Sequence, residues 1–190
     1  MIKVEKLSKS YGKNRLFHDL SFTVADGEKV LLSAPSGVGK TTLLRILCGL
    51  ERADGGTVKG ISPADVTYLF QEPRLFPHLT ALENVICIFP DPEAAREKAV
   101  DLLKRFGLSG ALFQYPDELS GGMKQRVALA RALLSPRPVV FLDEPFTALD
   151  AELKDSVRET VRELCRDKTL ILVSHDLQDG EILTDRTLFL

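Results

Sequence analysis

The chain has 190 residues, of which 44% are hydrophobic and 27% are charged. This composition is typical of a globular protein, and it excludes a disordered chain, a collagen-like repeat and a long coiled coil. The length predicts one domain with room for a small sub-domain. A folded chain of this length buries roughly 70% of the surface that it exposes when unfolded. The net charge is −2, so no basic excess favours a nucleic acid as the main partner.

Three widely spaced cysteines, Cys48, Cys87 and Cys165, include no CxxC pair. We therefore predict reduced thiols in the core rather than a disulfide framework or a zinc site. Residues 1–6 contain no apolar segment of the kind found in a signal peptide. Apolar runs stay far short of the ~20 residues that a membrane-spanning helix needs, so we expect any link to a membrane to come through a partner.

Short apolar runs and turn signals alternate in the first third of the chain. Asp26-Gly27 stands between two such runs and predicts a hairpin. Residues 30–32 are continuously apolar, as in a strand buried on both faces. A glycine-containing loop and a helix with Gly49 at its C-terminal end follow. Strand, loop and helix in this order are the context that a phosphate-binding loop requires.

The middle of the chain is predicted to be mostly helical. Asp91-Pro92 is typical of a helix N-cap with proline at the first helical position. A second helix is predicted to begin after Ser120 and to stop before Pro136. These patterns indicate a helical sub-domain over residues 74–135.

Two buried strands are predicted in the last third, over residues 138–142 and 169–173. A charged amphipathic helix over residues 151–166 separates them, and a last short strand is expected over residues 187–190. Buried strands that alternate with helices indicate an α/β fold with a largely parallel core.

The loop after the first buried strand matches the phosphate-loop pattern, except that Ala34 stands where the strict pattern has glycine. Its glycines let the backbone N–H groups point at a phosphate chain, and the following helix adds its positive dipole end. We predict that Lys40 reaches the β- and γ-phosphates and that the Thr41 hydroxyl ligates Mg²⁺. The alternative is a glycine-rich turn that happens to precede Lys-Thr. The predicted nucleotide-binding loop comprises Ala34, Pro35, Ser36, Gly37, Val38, Gly39, Lys40, Thr41 and Thr42.

Two adjacent carboxylates, Asp143 and Glu144, end the strand over residues 138–142. Burying an unpaired charge is costly, and a metal partner removes the difficulty. Asp143 fits an acid that holds Mg²⁺, and Glu144 fits a general base for water. The alternative is a solvated turn before Pro145.

A second helix start also suits an anion. Ser120 is a good N-cap, whereas Gly121 and Gly122 each cost the helix about 1 kcal/mol relative to alanine. Such glycines are expected where a ligand approaches the backbone closely. The chain thus has two predicted anion-binding helix ends, which one nucleotide could not obviously fill within a monomer.

These motifs together resemble the nucleotide-binding domain of ABC-type ATPases, over nearly the whole chain. Residues 119–126, Leu-Ser-Gly-Gly-Met-Lys-Gln-Arg, resemble the signature motif of that family. Residues 139–145 resemble its Walker B strand, and residues 148–150 resemble its D-loop. The motifs stand in the order that the family has.

Three single residues take their roles only from this resemblance. Gln71 stands where the family has the Q-loop glutamine, His175 where it has the switch histidine, and Tyr11 where an aromatic ring stacks on adenine. Considered alone, they are a polar residue at a strand end, a structural histidine and a tyrosine in a surface turn.

The resemblance implies an α/β P-loop NTPase core with a mostly parallel sheet, an N-terminal antiparallel β part and a small helical sub-domain. Residues 1–190 are then a single ABC-type ATPase domain. Residues 1–73 and 136–190 form the nucleotide-binding core, and residues 74–135 form the helical signature sub-domain. No regulatory domain is expected within this sequence.

The resemblance also implies a head-to-tail pair of subunits with two ATP molecules and Mg²⁺ between them. Each nucleotide lies on the phosphate loop and Tyr11 of one chain and is closed by the signature motif of the other. The implied catalytic residues are Glu144, His175, Gln71 and Lys40, the metal ligands are Thr41, Gln71 and Asp143, and the residues that reach the partner's nucleotide are Ser120, Gly121, Gly122 and Asp150.

Residues 71–85 and 123–133 resemble the subunits of bacterial importers for sulfonate, nitrate, thiamine and similar solutes. The partners implied are integral membrane permease subunits and an extracytoplasmic solute-binding protein, which place the chain at the cytoplasmic face of the cell membrane. One alternative is an efflux or lipid-release system. Another is an ABC ATPase that acts on ribosomes or DNA, which the slightly acidic charge and the lack of tandem domains disfavour.

Overall fold

The computed structural model describes the backbone of residues 1–190 and every side chain except that of residue 152. The strands are β1 (Ile2–Tyr11), β2 (Asn14–Val24), β3 (Lys29–Ser33), β4 (Gly55–Lys59), β5 (Val66–Leu69), β6 (Val139–Asp143), β7 (Thr169–Val173) and β8 (Arg186–Phe189). The α-helices are α1 (Lys40–Leu47), α2 (Ala81–Ile86), α3 (Pro92–Arg105), α4 (Gly121–Leu134), α5 (Ala151–Leu164) and α6 (Leu177–Leu183).

The larger sheet has five strands in the order β5-β6-β7-β3-β8. The pairs β6–β7, β7–β3 and β3–β8 are parallel. Every residue of β6 and β7 is buried, as expected for central strands of a parallel sheet. Val173 is in register with both Leu32 and Asp143, so the carboxyl ends of β3, β6 and β7 meet at one edge. The predicted α/β fold with a mostly parallel core is confirmed.

The smaller sheet is antiparallel, with the order β2-β1-β4, and confirms the predicted N-terminal β part. The hairpin predicted at Asp26-Gly27 is wrong, because β2 and β3 belong to different sheets. Gly27, with φ 77°, redirects the chain from one sheet to the other. The hairpin of this region joins β1 to β2 instead and turns at Gly12, with φ 57°.

The helical part contains α2, α3 and α4, which pack against one another. Asp91 accepts a hydrogen bond from Ala94 N and Ser120 accepts one from Met123 N, so both predicted N-caps are confirmed. The six-residue helix α2 was not predicted.

The chain forms two compact units, each assembled from separated segments. The first comprises Met1–Tyr68, Arg137–Asp143 and Asp167–Leu190, and the second comprises Leu69–Pro136 and Glu144–Arg166. The sequence-based division leaves residues 144–166 with the nucleotide-binding core. The functional sub-domains over residues 1–73 plus 136–190 and over residues 74–135 stay a prediction.

The three cysteine thiols are free, as expected. Cys48 and Cys165 are buried, but Cys87 is exposed, so the prediction of a core position is wrong for that residue. Cys87 follows the short helix α2 as its C-terminal cap, which lies at the surface. Within the described residues, no helix has both the length and the apolar character that a membrane span requires.

Candidate active site

The loop between β3 and α1 has the curled backbone that a phosphate chain requires. Gly37 and Gly39 adopt left-handed conformations, with φ 82° and 109°, which other residues rarely adopt. A Cβ atom on Gly39 would also lie 3.0 Å from the Leu16 side chain. Ala34 is not among the residues with positive φ, so this position does not need glycine.

The N-terminus of α1 lacks a partner of the kind that the other helices have. Among the six α-helices of the described chain, α1 alone begins without a hydrogen bond from a capping side chain, and its first turn has no acidic residue. The first N–H groups of a helix need an acceptor, and the positive end of the helix dipole attracts an anion. This end of α1 can therefore hold a phosphate.

The Lys40 ammonium lies within the same loop. It donates hydrogen bonds to Ala34 O at 2.6 Å and Pro35 O at 3.3 Å. Among the described residues no carboxylate pairs with it, so its positive charge is available to a bound anion. The loop, the helix end and Lys40 together have the charge and the donors for a triphosphate.

Asp143 lies at the end of β6 with only 1% of its surface exposed. Its Oδ2 atom accepts hydrogen bonds from Thr41 Oγ1 at 2.7 Å and from the Tyr68 hydroxyl at 3.1 Å. A hydroxyl and a carboxylate oxygen are the hard ligands that Mg²⁺ prefers. The structure thus brings together two of the three predicted metal ligands, and their chemistry fits Mg²⁺.

Tyr68, which the sequence motifs do not indicate, is a further candidate residue of this site. Its ring meets Phe141 edge-on, with centroids 6.2 Å apart. Burial, together with the neighbouring Asp143 carboxylate, raises the pKa of the Tyr68 hydroxyl, which therefore remains a donor. Tyr68 lies in the short strand β5, but only the sheet order shows that β5 lies beside β6.

His175 is exposed and follows β7 at the same sheet edge. The neighbouring Ser174 hydroxyl donates to the buried Asp179 carboxylate and accepts from Asp176 N at 3.1 Å. A Cβ atom on Gly180 would lie 2.5 Å from Leu31, so α6 packs closely on β3. These contacts fix the backbone on both sides of His175.

Tyr11, predicted to stack on adenine, lies at the end of β1 with half of its surface exposed. Its hydroxyl donates to Glu51 Oε1, and the Lys9 ammonium lies 5.0 Å from the ring centroid. An exposed ring that is held in place suits a platform for a planar group.

Glu144, the first residue of the second segment of the second unit, has a strained backbone. Its φ of 54° is left-handed, which costs a residue other than glycine on the order of 1–3 kcal/mol. The next two residues, Pro145 and Phe146, are buried, and Thr147 Oγ1 donates to Glu144 O at 3.2 Å. Such strain is concentrated at active sites, where it aims a side chain. Gln71 is exposed and follows β5 in the same unit.

The signature helix α4 gives its two glycines different surroundings. A Cβ atom on Gly122 would lie 2.7 Å from Ala148 O, whereas one on Gly121 would meet nothing within 4 Å. The chain's own carbonyl therefore explains Gly122, and Gly121 remains open to a ligand. Asp150, predicted to couple two sites, caps α5 by accepting from Leu153 N at 3.0 Å.

The site combines hydrogen-bond donors that can hold phosphates with an oxygen pair that suits Mg²⁺. This combination is typical of a nucleoside triphosphatase. The family model of the ABC transporter matches residues 17–147. The chain belongs to the ABC transporter family. It is an ATPase, and it is the subunit of an ABC transporter that binds and hydrolyses ATP.

Several relatives match nearly the whole chain. An arginine transport ATP-binding protein from Bacillus subtilis is 41% identical over 100% of this chain and 87% of its own length. An aliphatic sulfonates import ATP-binding protein from Rhodococcus jostii is 42% identical over 95% and 75%. A sulfate/thiosulfate import ATP-binding protein from Bacillus cereus is 38% identical, and the chain spans 57% of its length.

Solved structures show the same fold. A dimeric ATP-binding cassette in a post-hydrolysis state, bound to ADP and Pi, superposes with a TM-score of 0.88 at 29% identity. The match covers 100% of this chain and 94% of the other. The fold and the ATPase assignment made from the resemblance are therefore confirmed.

Proposed function

We propose that this ABC ATPase drives the import of a small solute through separate permease subunits in the cell membrane. The observation that carries the chemistry is the Thr41–Asp143 oxygen pair beside the uncapped start of α1. The names of the relatives, which refer to arginine transport and to sulfonate and sulfate import, favour import over efflux.

In this proposal, residues 34–42 and the Lys40 ammonium hold the phosphates, and Tyr11 holds the base. Thr41, Asp143 and Gln71 hold Mg²⁺, which neutralises the charge of the phosphates. Support comes from the distances at Thr41 and Asp143 and from the exposed position of Gln71 after β5.

Glu144 polarises the attacking water, His175 contacts the γ-phosphate, and Lys40 stabilises the developing negative charge. The left-handed backbone at Glu144 and the fixed loop at His175 support these roles, because both orient a side chain at the end of a buried strand. Gln71 would complete the catalytic set as a ligand of the bound metal.

Two chains pair head to tail, and Ser120, Gly121 and Gly122 of one reach the nucleotide on the other, while Asp150 links the two sites. The open space at Gly121 supports a close approach of phosphate to the backbone, and the solved cassettes that this chain resembles are dimeric. A permease docks on the segment after Gln71, where Phe76 is exposed, and a solute-binding protein delivers the solute. The chain then lies at the cytoplasmic face of the membrane.

The Glu144→Gln variant tests the catalytic part. We expect ATP hydrolysis to fall by about 10²-fold or more, the usual weight of a general base, while ATP binding stays unchanged. Steady-state phosphate release and equilibrium binding of ATP measure the two effects. Near-normal hydrolysis by this variant removes Glu144 from the role of base.

The same variant tests the assembly. Light scattering should show an ATP-dependent dimer of the Glu144→Gln chain, and adding Ser120→Arg should abolish it by blocking the signature end of α4. Purification of the tagged variant from native membranes in mild detergent should recover a polytopic membrane protein. A solute-binding protein recovered with it supports import, and recovery of only soluble partners contradicts the proposed transport function.

A further inference from the structure

Lys9 and Glu51 form a cluster with Tyr11, and neither of these two residues has a role in the proposed function. The Tyr11 hydroxyl donates to Glu51 Oε1, and Lys9 Nζ lies 3.1 Å from the same oxygen. Lys9 also donates to Arg52 O at 2.8 Å. Although they lie at the surface, the Lys9 and Glu51 side chains are only 11% and 19% exposed. Each polar group of the cluster is therefore engaged by another group of the chain.

Both charges of the cluster are maintained. Burial alone would raise the pKa of Glu51, but hydrogen bonds from Tyr11 and Lys9 bring it below its ordinary value. The hydrogen bond to Glu51 raises the pKa of Lys9. A charged carboxylate is a stronger acceptor for the Tyr11 hydroxyl than a neutral group.

The cluster joins the end of β1 to the segment that leaves α1. Leu50 N donates to Arg45 O at 2.8 Å, so residue 51 follows directly from the last turn of that helix. Ser10 N donates to Asp54 Oδ2 at 2.7 Å, which holds the strand against the same segment. Glu51 thus connects Tyr11 to the helix whose first turn holds the phosphates.

Lys9 also limits which face of the Tyr11 ring a nucleotide base can contact. Its ammonium lies over one face, 5.0 Å from the centroid, where a cation is attracted to the π electrons. The hydroxyl contact with Glu51 holds the far end of the Tyr11 ring in place. A planar base then has only the opposite face of Tyr11 on which to stack.

We propose that Glu51 and Lys9 are positioning residues for the nucleotide base: they fix the Tyr11 ring at a set distance from the phosphate loop and leave one face for a purine. This inference rests on the proposed role of Tyr11 and extends it to two residues that do not touch the nucleotide. They contribute to the affinity for the base and not to the affinity for the phosphates.

The test compares two probes, ATP and inorganic tripolyphosphate, each with Mg²⁺, by equilibrium binding to the purified chain. Tyr11→Ala should weaken the binding of ATP by about 5- to 100-fold, the range for loss of one base–aromatic stack. Glu51→Gln and Tyr11→Phe should each weaken the binding of ATP by about 3- to 10-fold, the usual contribution of one hydrogen bond. Tripolyphosphate affinity should stay within twofold for all three.

Two further variants make the result specific. The Tyr11→Phe/Glu51→Gln double variant should be no weaker than either single variant, because the two changes remove one shared contact. Glu5→Gln removes another lysine-paired carboxylate from β1 and should leave both affinities unchanged.

Equal weakening of ATP and tripolyphosphate by Glu51→Gln would show a general effect on the fold and would overturn the inference. Unchanged ATP affinity in Glu51→Gln would overturn it as well. The Lys40→Ala variant tests the proposed phosphate site separately, because it should weaken the binding of both probes. If Lys40→Ala changes neither probe, the proposed phosphate site itself is wrong.

Discussion

Asp143 is the buried carboxylate on which the proposed metal site depends. Only 1% of its surface is exposed. Among the described residues, its hydrogen-bond donors are hydroxyl groups rather than cations. Leaving such a group without donors costs about 1–3 kcal/mol or more. Thr41 and Tyr68 therefore stabilise the carboxylate before any metal binds, and Tyr68 also fixes its orientation.

The Tyr68→Phe variant tests this contact. It keeps the ring against Phe141 and removes the hydroxyl that donates to Asp143. We expect the Mg²⁺ concentration for half-maximal ATP hydrolysis to rise about tenfold, as when a hydrogen bond to a metal ligand is lost. Excess Mg²⁺ should restore most of the rate.

A metal titration of the ATPase rate measures this change, with Tyr115→Phe as the control. Tyr115 is half exposed and lies outside the site, so its variant should have the Mg²⁺ requirement of the parent. A lower maximal rate of Tyr68→Phe with an unchanged Mg²⁺ requirement contradicts the assigned role.

The curled loop before α1 could be predicted from sequence because its glycine signals lie within a few consecutive residues. Tyr68 could not, because its role depends on β5 lying beside β6, and strand order is not a local property. The cluster of Lys9 and Glu51 escaped prediction for the same reason, since these two residues approach each other only when β1 packs on the segment after α1.

At the scale of one element, α4 shows why two adjacent glycines are not equivalent. A Cβ atom on Gly122 would come within 2.7 Å of Ala148 O, closer than such atoms approach one another. The backbone carbonyl cannot move away without displacing the turn that precedes α5. Gly121, in contrast, has open space around its Cα atom.

The Gly122→Ala and Gly121→Ala variants form a matched pair. We expect Gly122→Ala to lower the free energy of unfolding by about 1–3 kcal/mol, the usual cost of overpacking. Gly121→Ala should not lower it, because alanine favours the helix and meets no neighbour. Urea unfolding measures both, and equal effects of the two changes contradict the contact with Ala148.

The elements that the sequence predicts well are those with local signals at their ends. Asp91 and Ser120 fixed the starts of α3 and α4 because a capping side chain bonds to its own helix. The long strands β1 and β2 were less visible, since left-handed residues at Lys6 and Asp19 interrupt their alternation. The backbone N–H of Lys6 donates to Ser21 Oγ, and that of Asp19 donates to Ser8 Oγ. No local sequence pattern indicates these two contacts.

At the scale of the whole molecule, some strands that are neighbours in a sheet are far apart along the chain. The first compact unit takes residues from three separated segments, and β3 pairs with β7 and β8 from the far end of the sequence. The hairpin prediction at Asp26-Gly27 failed at this scale, because a turn signal shows that the chain bends but not which strand comes next to it.

The ion pair Glu28–Arg186 connects distant parts of the first unit. Arg186 donates from Nε to Glu28 Oε1 and also to Thr23 O. The hydrogen bond from Arg186 lowers the pKa of Glu28 below its ordinary 4.5, although burial opposes this. Since the folded pKa is the lower one, Glu28 stabilises the fold above pH 4.5, and this contribution is lost as the pH falls through the folded pKa.

The Glu28→Gln variant should therefore be less stable than the parent near pH 7, by about 0.5–1 kcal/mol for a pair that is partly exposed. The difference should shrink below pH 4.5 and disappear once Glu28 is protonated in the folded parent. Urea unfolding at a series of pH values measures it. Glu93→Gln removes an exposed ion pair within α3 and should show little effect at any pH. A Glu28→Gln deficit that stays constant as the pH falls would assign the effect to packing rather than to charge.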